Sequence, residues 1–204
     1  MKKAFKDNID HFFDYDMYFP TRTIYMGSAD YSITEGESGT DGKMAERVIK
    51  ALHILDLGAA EGDHPITIIM NNIGGNQGDG LAIYDAIKAC NNFVRIIVYG
   101  QAFSMGSIIL QAADERILAP SSSVMIHYGE MTFEGHAKTA YKVVEDAKRW
   151  NAWMEELYLS KIRVKHPNFQ AAKLRSLCNF DHYMDAREAV NLGLADKILG
   201  EEEV

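Results

Sequence analysis

The stretch Phe93-Val94-Arg95-Ile96-Ile97-Val98-Tyr99-Gly100-Gln101-Ala102-Phe103-Ser104-Met105-Gly106-Ser107-Ile108-Ile109-Leu110 decides how the rest of the chain is read. Its first seven residues are almost continuously apolar and rich in Val and Ile, the pattern of a strand covered on both faces. Gly100 to Phe103 lead out of that strand. From Ser104 onward the residues are small or apolar, which predicts a short buried helix. A strand that runs into a helix is one unit of an α/β fold, and further units lie on either side of it. Upstream are a short strand at 23–26 and a loop holding Glu35, Gly36, Glu37, Ser38 and Gly39. A helix over about 41–56 follows, with Met44, Val48, Ile49, Leu52 and Leu55 at helical spacing. After the Gly- and acid-rich loop at 57–64, Pro65 opens a second buried-type strand at 66–70. The pair Gly74-Gly75 follows it, and then a helix at roughly 80–91.

Downstream the pattern predicts strands at 116–118 and 123–127, a long helix over about 136–164, a helix near 168–178, a short one after Asp185 and a last strand at 196–199. Strands alternating with helices predict an α/β fold with a largely parallel sheet. The length suits one substantial domain, read as residues 21–204, with residues 1–20 as an N-terminal arm. That arm holds Phe12, Phe13, Tyr15, Tyr18 and Phe19 and ends in Pro20; it either docks on a neighbour or stays mobile. On the long helix Val143, Ala147, Trp150, Met154, Leu157 and Tyr158 form one stripe, widened by Ala140, Tyr141, Val144 and Trp153.

The composition excludes several classes. A formal net charge of −8 argues against a nucleic-acid binder, which needs a basic face, and gives no attraction to an anionic membrane. No apolar run is long enough for a signal peptide or a membrane span, so a cytoplasmic protein is expected. Cys90 and Cys178 show neither CxxC nor metal-ligand spacing. They read as reduced, mostly buried thiols, and no metal site is expected.

Chemistry concentrates where strands end. Ser104 stands between a buried strand and a helix, where free backbone amides and the helix dipole favour a developing anion. The competing role is a plain N-cap, the commoner use of such a serine. His127 ends the apolar strand Ser123-Val124-Met125-Ile126-His127. Alone it reads as a core histidine; beside a serine at the same sheet rim it reads as a general base. A third member must be a carboxylate that fixes the histidine tautomer. Asp181, Asp185 and Asp196 are the candidates, and spacing does not choose among them, although Asp185 also fits the N-cap of a capping box with Glu188. Gly74-Gly75 allows a backbone N–H to point into a site, as an oxyanion hole requires; a tight turn is compatible with that. The absence of GxxxxGK[ST] and GxGxxG makes a nucleotide loop a poor reading of these glycines.

Taken together these segments resemble the proteolytic-subunit family of the Clp proteases, ClpP. The serine motif G-x-x-x-S-M-G is matched by Gly100 to Gly106, and V-M-I-H by Val124 to His127. The Gly-Gly loop followed by I-Y-D is matched by Gly74-Gly75 and Ile83-Tyr84-Asp85. The C-terminal pattern is matched by Asp181-His182-Tyr183-Met184-Asp185-Ala186-Arg187-Glu188-Ala189, then Gly193-Leu194-Ala195-Asp196. The resemblance selects Asp181 as the third member and implies the backbone N–H groups of Gly75 and Met105 as oxyanion donors, with substrate along Gly74 and Asn76. It implies a ClpP/crotonase-like spiral of ββα units, with the long helix as a handle. Through that handle rings of seven copies would stack into a chamber of fourteen that degrades polypeptides. It implies no cofactor in the subunit itself; ATP would be used by a partner unfoldase of the AAA+ class, of the ClpX, ClpA or ClpC type.

The sequence also departs from the family. Tyr128-Gly129 stands where Gln-Pro is common, Asn76-Gln77 replaces apolar residues, and the segment from Gln111 to Ser123 is about two residues short. The stretches 1–20, 29–40 and 57–64 are unusual and bear on unfoldase docking. A divergent or phage-type member, or a head-maturation protease on the same fold, would look like this. The rivals are a crotonase-type acyl-CoA enzyme, which works through carboxylates, and a non-catalytic ring subunit, which usually lacks part of the triad.

Overall fold

The computed structural model describes residues 9–10, 12–27, 39–57, 64–129 and 134–201. Most of the stretches 29–40 and 57–64, and the first eight residues of the arm, lie outside the described residues. The described elements are strands β1 (Met17–Tyr18), β2 (Thr23–Gly27), β3 (Ile66–Asn72), β4 (Val94–Phe103), β5 (Glu115–Leu118), β6 (Ser123–Ile126), β7 (His182–Asp185) and β8 (Lys197–Ile198). Helices are α1 (Gly42–Leu57), α2 (Gln77–Ala89), α3 (Met105–Leu110), α4 (Ala137–Lys165), α5 (Ala171–Cys178) and α6 (Ala186–Leu192). The sheet runs β1-β2-β3-β4-β5-β8, with β6 paired to both β4 and β7. Among the described residues only β1–β2 and β6–β7 pair antiparallel. The architecture is the expected mixed α/β one, with a largely parallel central sheet.

Alternation builds the central layer. In β3, Ile66, Ile68, Met70 and Asn72 are buried while the residues between them are half-buried. Val94, Ile96 and Val98 of β4 do the same. Against them pack Val48, Leu52 and Leu55 of α1 and Ile83 and Ile87 of α2, an apolar cluster continuous with Ile108, Ile109 and Leu110 of α3. Burial of such side chains is the main stabilising term.

The strand expected at 93–99 continues to Phe103, and this extension matters most for the site. Residues 95–98 pair with β5, whereas 101–103 pair with β6. The strand changes partner at a bend, where Gly100 takes φ +89° and the register against β3 shifts between Met70 and Asn72. The Asn71 side-chain oxygen fills the space a Cβ at 100 would need and accepts from the Gln101 N–H at 3.3 Å. One strand therefore belongs to two leaves of sheet, and its second half carries Ser104 toward His127.

The long helix departs from its expected stripe. Every buried residue of α4 lies at or beyond Met154: Met154, Leu157, Tyr158, Leu159 and Ile162. Trp150 and Trp153 are half-buried, stacked on each other at 5.0 Å, and Trp153 meets Tyr84 edge-on. Tyr141 and Val144 are exposed. Among the described residues of the arm, Met17–Tyr18 pairs with β2, and Asp16 bonds Arg47 at 2.7 Å. Among the described residues no helix is long and apolar enough to cross a membrane.

Candidate active site

Ser104 follows β4 directly and precedes α3. Its φ of +52° and ψ of −119° lie outside the extended region an N-cap occupies, and its side chain makes no cap hydrogen bond. The Ser104 N–H donates to the Met125 carbonyl at 2.9 Å, which ties the residue to β6. His127 leaves the end of β6. Its Nε2 lies 2.7 Å from Ser104 Oγ, and its Nδ1 lies 2.8 Å from Asp181 Oδ1. An ionised carboxylate only accepts, so Nδ1 carries the proton and Nε2 is left to accept from the serine hydroxyl. The His127 side chain is mostly buried, whereas Asp181 is half-exposed.

The other two carboxylates are engaged elsewhere. Asp185 caps α6, accepting from the Glu188 N–H at 2.7 Å while Glu188 reaches back to the Asp185 N–H. Asp196 receives Arg116 through Nε at 3.1 Å and Nη2 at 2.5 Å, and also the Arg116 N–H. Both thiols are free. Burial pushes Cys178 up to about 12 and Cys90 up to about 11, so neither supplies a thiolate near neutral pH.

Gly74 lies beside Ser104, and Gly75 lies against the backbone of Thr40. A Cβ on Gly74 (φ +97°) would sit 2.6 Å from Ser104 Cβ and 2.8 Å from the Phe103 carbonyl oxygen, so no side chain fits. The Thr40 N–H donates to the Gly74 carbonyl at 2.5 Å, and the Asn76 N–H to the Thr40 carbonyl at 2.7 Å. In this parallel bridge the groups of Gly74 and Asn76 face Thr40, so the intervening Gly75 N–H points to the opposite edge. Met105 is the first residue of α3, where backbone N–H groups have no partner within the helix.

Four supporting residues were not singled out from the sequence. Buried Asn72 accepts from the Gly74 N–H at 2.7 Å and the Thr40 hydroxyl at 3.1 Å, and so shapes the Gly-Gly turn. An asparagine at the fourth inward position of a buried strand was a readable signal, since such a group must be hydrogen-bonded. Tyr183 places its hydroxyl 3.3 Å from Asp181 Oδ2, with its ring edge-on to Phe103. Ser107 and Tyr158 lie behind Ser104; the helical spacing marked Tyr158 only as one of the apolar stripe, and nothing in the pattern pairs its hydroxyl with Ser107. Among the described residues no cluster of three or more His, Cys, Asp or Glu could hold a metal ion.

A serine, an imidazole and a carboxylate in one hydrogen-bonded line, set at strand ends of an α/β sheet, is the constellation of hydrolytic enzymes that recurs on unrelated folds. The family model for Clp protease matches residues 24–202, and the chain belongs to that family. It is 28% identical over 190 residues to the ATP-dependent Clp protease proteolytic subunit of Deinococcus radiodurans, covering 91% of this chain and 85% of that relative. The chain is a Clp-type protease.

Proposed function

We propose that the chain is a serine endopeptidase with Ser104 as nucleophile, His127 as general base and Asp181 as the residue that orients the imidazole. The observation that carries this reading is the unbroken line from Asp181 through His127 to Ser104, at 2.8 and 2.7 Å. His127 Nε2 takes the hydroxyl proton as Oγ attacks the scissile carbonyl, and the C–O bond forms while the carbonyl electrons move onto oxygen. The Gly75 and Met105 N–H groups receive that oxyanion. The imidazolium then protonates the leaving amine, the C–N bond breaks, and water releases the acyl group by the same steps. The peptide lies extended along the backbone of Gly74 and Asn76. None of these steps draws on a metal or nucleotide.

The copies assemble in rings of seven, stacked as fourteen around a chamber, through the exposed apolar half of α4. Unfolded polypeptide is delivered by a cytoplasmic AAA+ unfoldase of the ClpX, ClpA or ClpC type that uses ATP. Support for this comes from family membership and from the ATP-dependent relative. A fluorophosphonate probe with a small fluorogenic peptide tests the chemistry. Wild type is expected to be labelled at Ser104 and to hydrolyse the peptide, with Ser104→Ala lowering kcat by about a million-fold. Hydrolysis that persists in Ser104→Ala sinks the assignment.

A further inference from the structure

Tyr158 is completely buried on α4, yet its hydroxyl lies 2.6 Å from Ser107 Oγ. Ser107, also buried, places that Oγ 2.6 Å from the carbonyl oxygen of Ser104. A carbonyl only accepts, so the single Ser107 hydroxyl proton goes to Ser104, and Tyr158 must donate to Ser107. The line therefore runs one way, from the long helix to the backbone of Ser104. Burial raises the Tyr158 phenol well above its ordinary value, so the donor persists at every working pH.

The line ends on a strained residue. Ser104 holds φ +52° and ψ −119°, a conformation that non-glycine residues keep only where their surroundings force it. Helix α3 contributes to this through the N–H groups of Ser107 and Ile108, at 3.0 and 3.4 Å from the same carbonyl. With six residues α3 is too short to fix its own first turn firmly. The Tyr158–Ser107 line anchors that turn to a 29-residue helix.

We propose that Tyr158 is a positioning residue for the hydrolysis: acting through Ser107, it holds the Ser104 carbonyl and so keeps the Ser104 hydroxyl aimed at His127 and at the substrate carbonyl. The proposal rests on the reading of Ser104 as nucleophile given above. A tyrosine that merely satisfies its hydroxyl in the core would affect stability alone. The line would instead affect the reacting geometry, where small misplacements are expensive in rate.

The test is a double-mutant cycle of Tyr158→Phe and Ser107→Ala in the full chain. It is read by kcat and KM on a fluorogenic peptide, by the rate of fluorophosphonate labelling and by melting temperature. Each single variant is expected to lower kcat and labelling rate about ten-fold with KM unchanged. The double variant should be no slower than the slower single, because a broken line cannot be broken twice. Single variants that melt earlier but keep the wild-type kcat overturn the proposal, as do losses that multiply in the double. Should one variant fail to fold, the other alone still decides between a fall in kcat and a fall in stability only. A wild type that neither hydrolyses nor labels overturns the nucleophile reading itself. An active wild type with unchanged variants overturns the positioning role alone.

Discussion

At the scale of single residues, two aspartates four positions apart make a controlled comparison. Asp181 accepts from His127, while Asp185 accepts from the Glu188 N–H as the cap of α6. Asp181→Asn is expected to lower kcat by roughly 10³–10⁴-fold with little change in melting temperature, because the amide favours the wrong imidazole tautomer. Asp185→Ala is expected to cost about 1 kcal/mol of stability through the lost cap and to leave kcat near wild type. Kinetics and thermal melts on the two variants check both statements, and equal kinetic losses would contradict them. Gly106 belongs to the same scale. A Cβ there would lie 2.9 Å from both the backbone and side-chain oxygens of Asn72. Asn72 cannot retreat without releasing the Gly74 N–H, so Gly106→Ala should lower stability by about 1–3 kcal/mol and also slow hydrolysis. A variant as active and as stable as wild type would show that Asn72 is free to yield.

Elements explain why some of this was legible in the sequence and some was not. The order of strands and helices was readable because each apolar run carries its own period: β3 and β4 as buried strands, α1 as an amphipathic helix, and Asp185 with Glu188 as a capping box. The extension of β4 to Phe103 was not readable, since its second half is stabilised by β6, a partner 22 residues further along the chain. Strand β7 was missed for the same reason: His182–Asp185 has little strand character of its own and is held by antiparallel pairing with β6. Ser104 and His127 stood out by position, but only the family pattern separated Asp181 from its neighbours. The unusual Tyr128 gains a meaning only in three dimensions. Its hydroxyl donates to Glu155 of α4 at 2.6 Å, and Arg175 of α5 holds the other Glu155 oxygen at 2.8 Å. Burial by itself would raise the Glu155 carboxyl, but these two donors outweigh it and hold the group below its ordinary value of 4.5. A carboxylate lowered in the fold contributes stability that is fully present above about pH 4.5 and is lost as the pH falls through its folded value. Glu155→Gln should therefore flatten the fall of melting temperature on acidification below about pH 4.5. Parallel melting profiles for the two proteins would remove Glu155 from the account.

For the whole molecule, the long helix leaves its first half outside the core. Its 29 residues span about 44 Å at the usual rise, yet its buried residues begin only at Met154. The first half carries Tyr141, 75% exposed, and Val144, 50% exposed, three residues apart on adjoining turns. Isolated exposed apolar residues are ordinary, and two on adjoining turns take on meaning only where another molecule covers them. Under the proposed assembly that molecule is a second copy, and the interface joins ring to ring. Two glutamates placed there would be desolvated without partners, on a chain already carrying a net charge of −8. The double variant Tyr141→Glu with Val144→Glu should therefore fold, with circular dichroism like wild type, because neither side chain supports the core. Native mass measurement should find it as single rings or smaller species, against the fourteen-copy particle expected of wild type. A variant that still assembles fully would mean that the copies meet through some other face and that this half of α4 is left for a different partner.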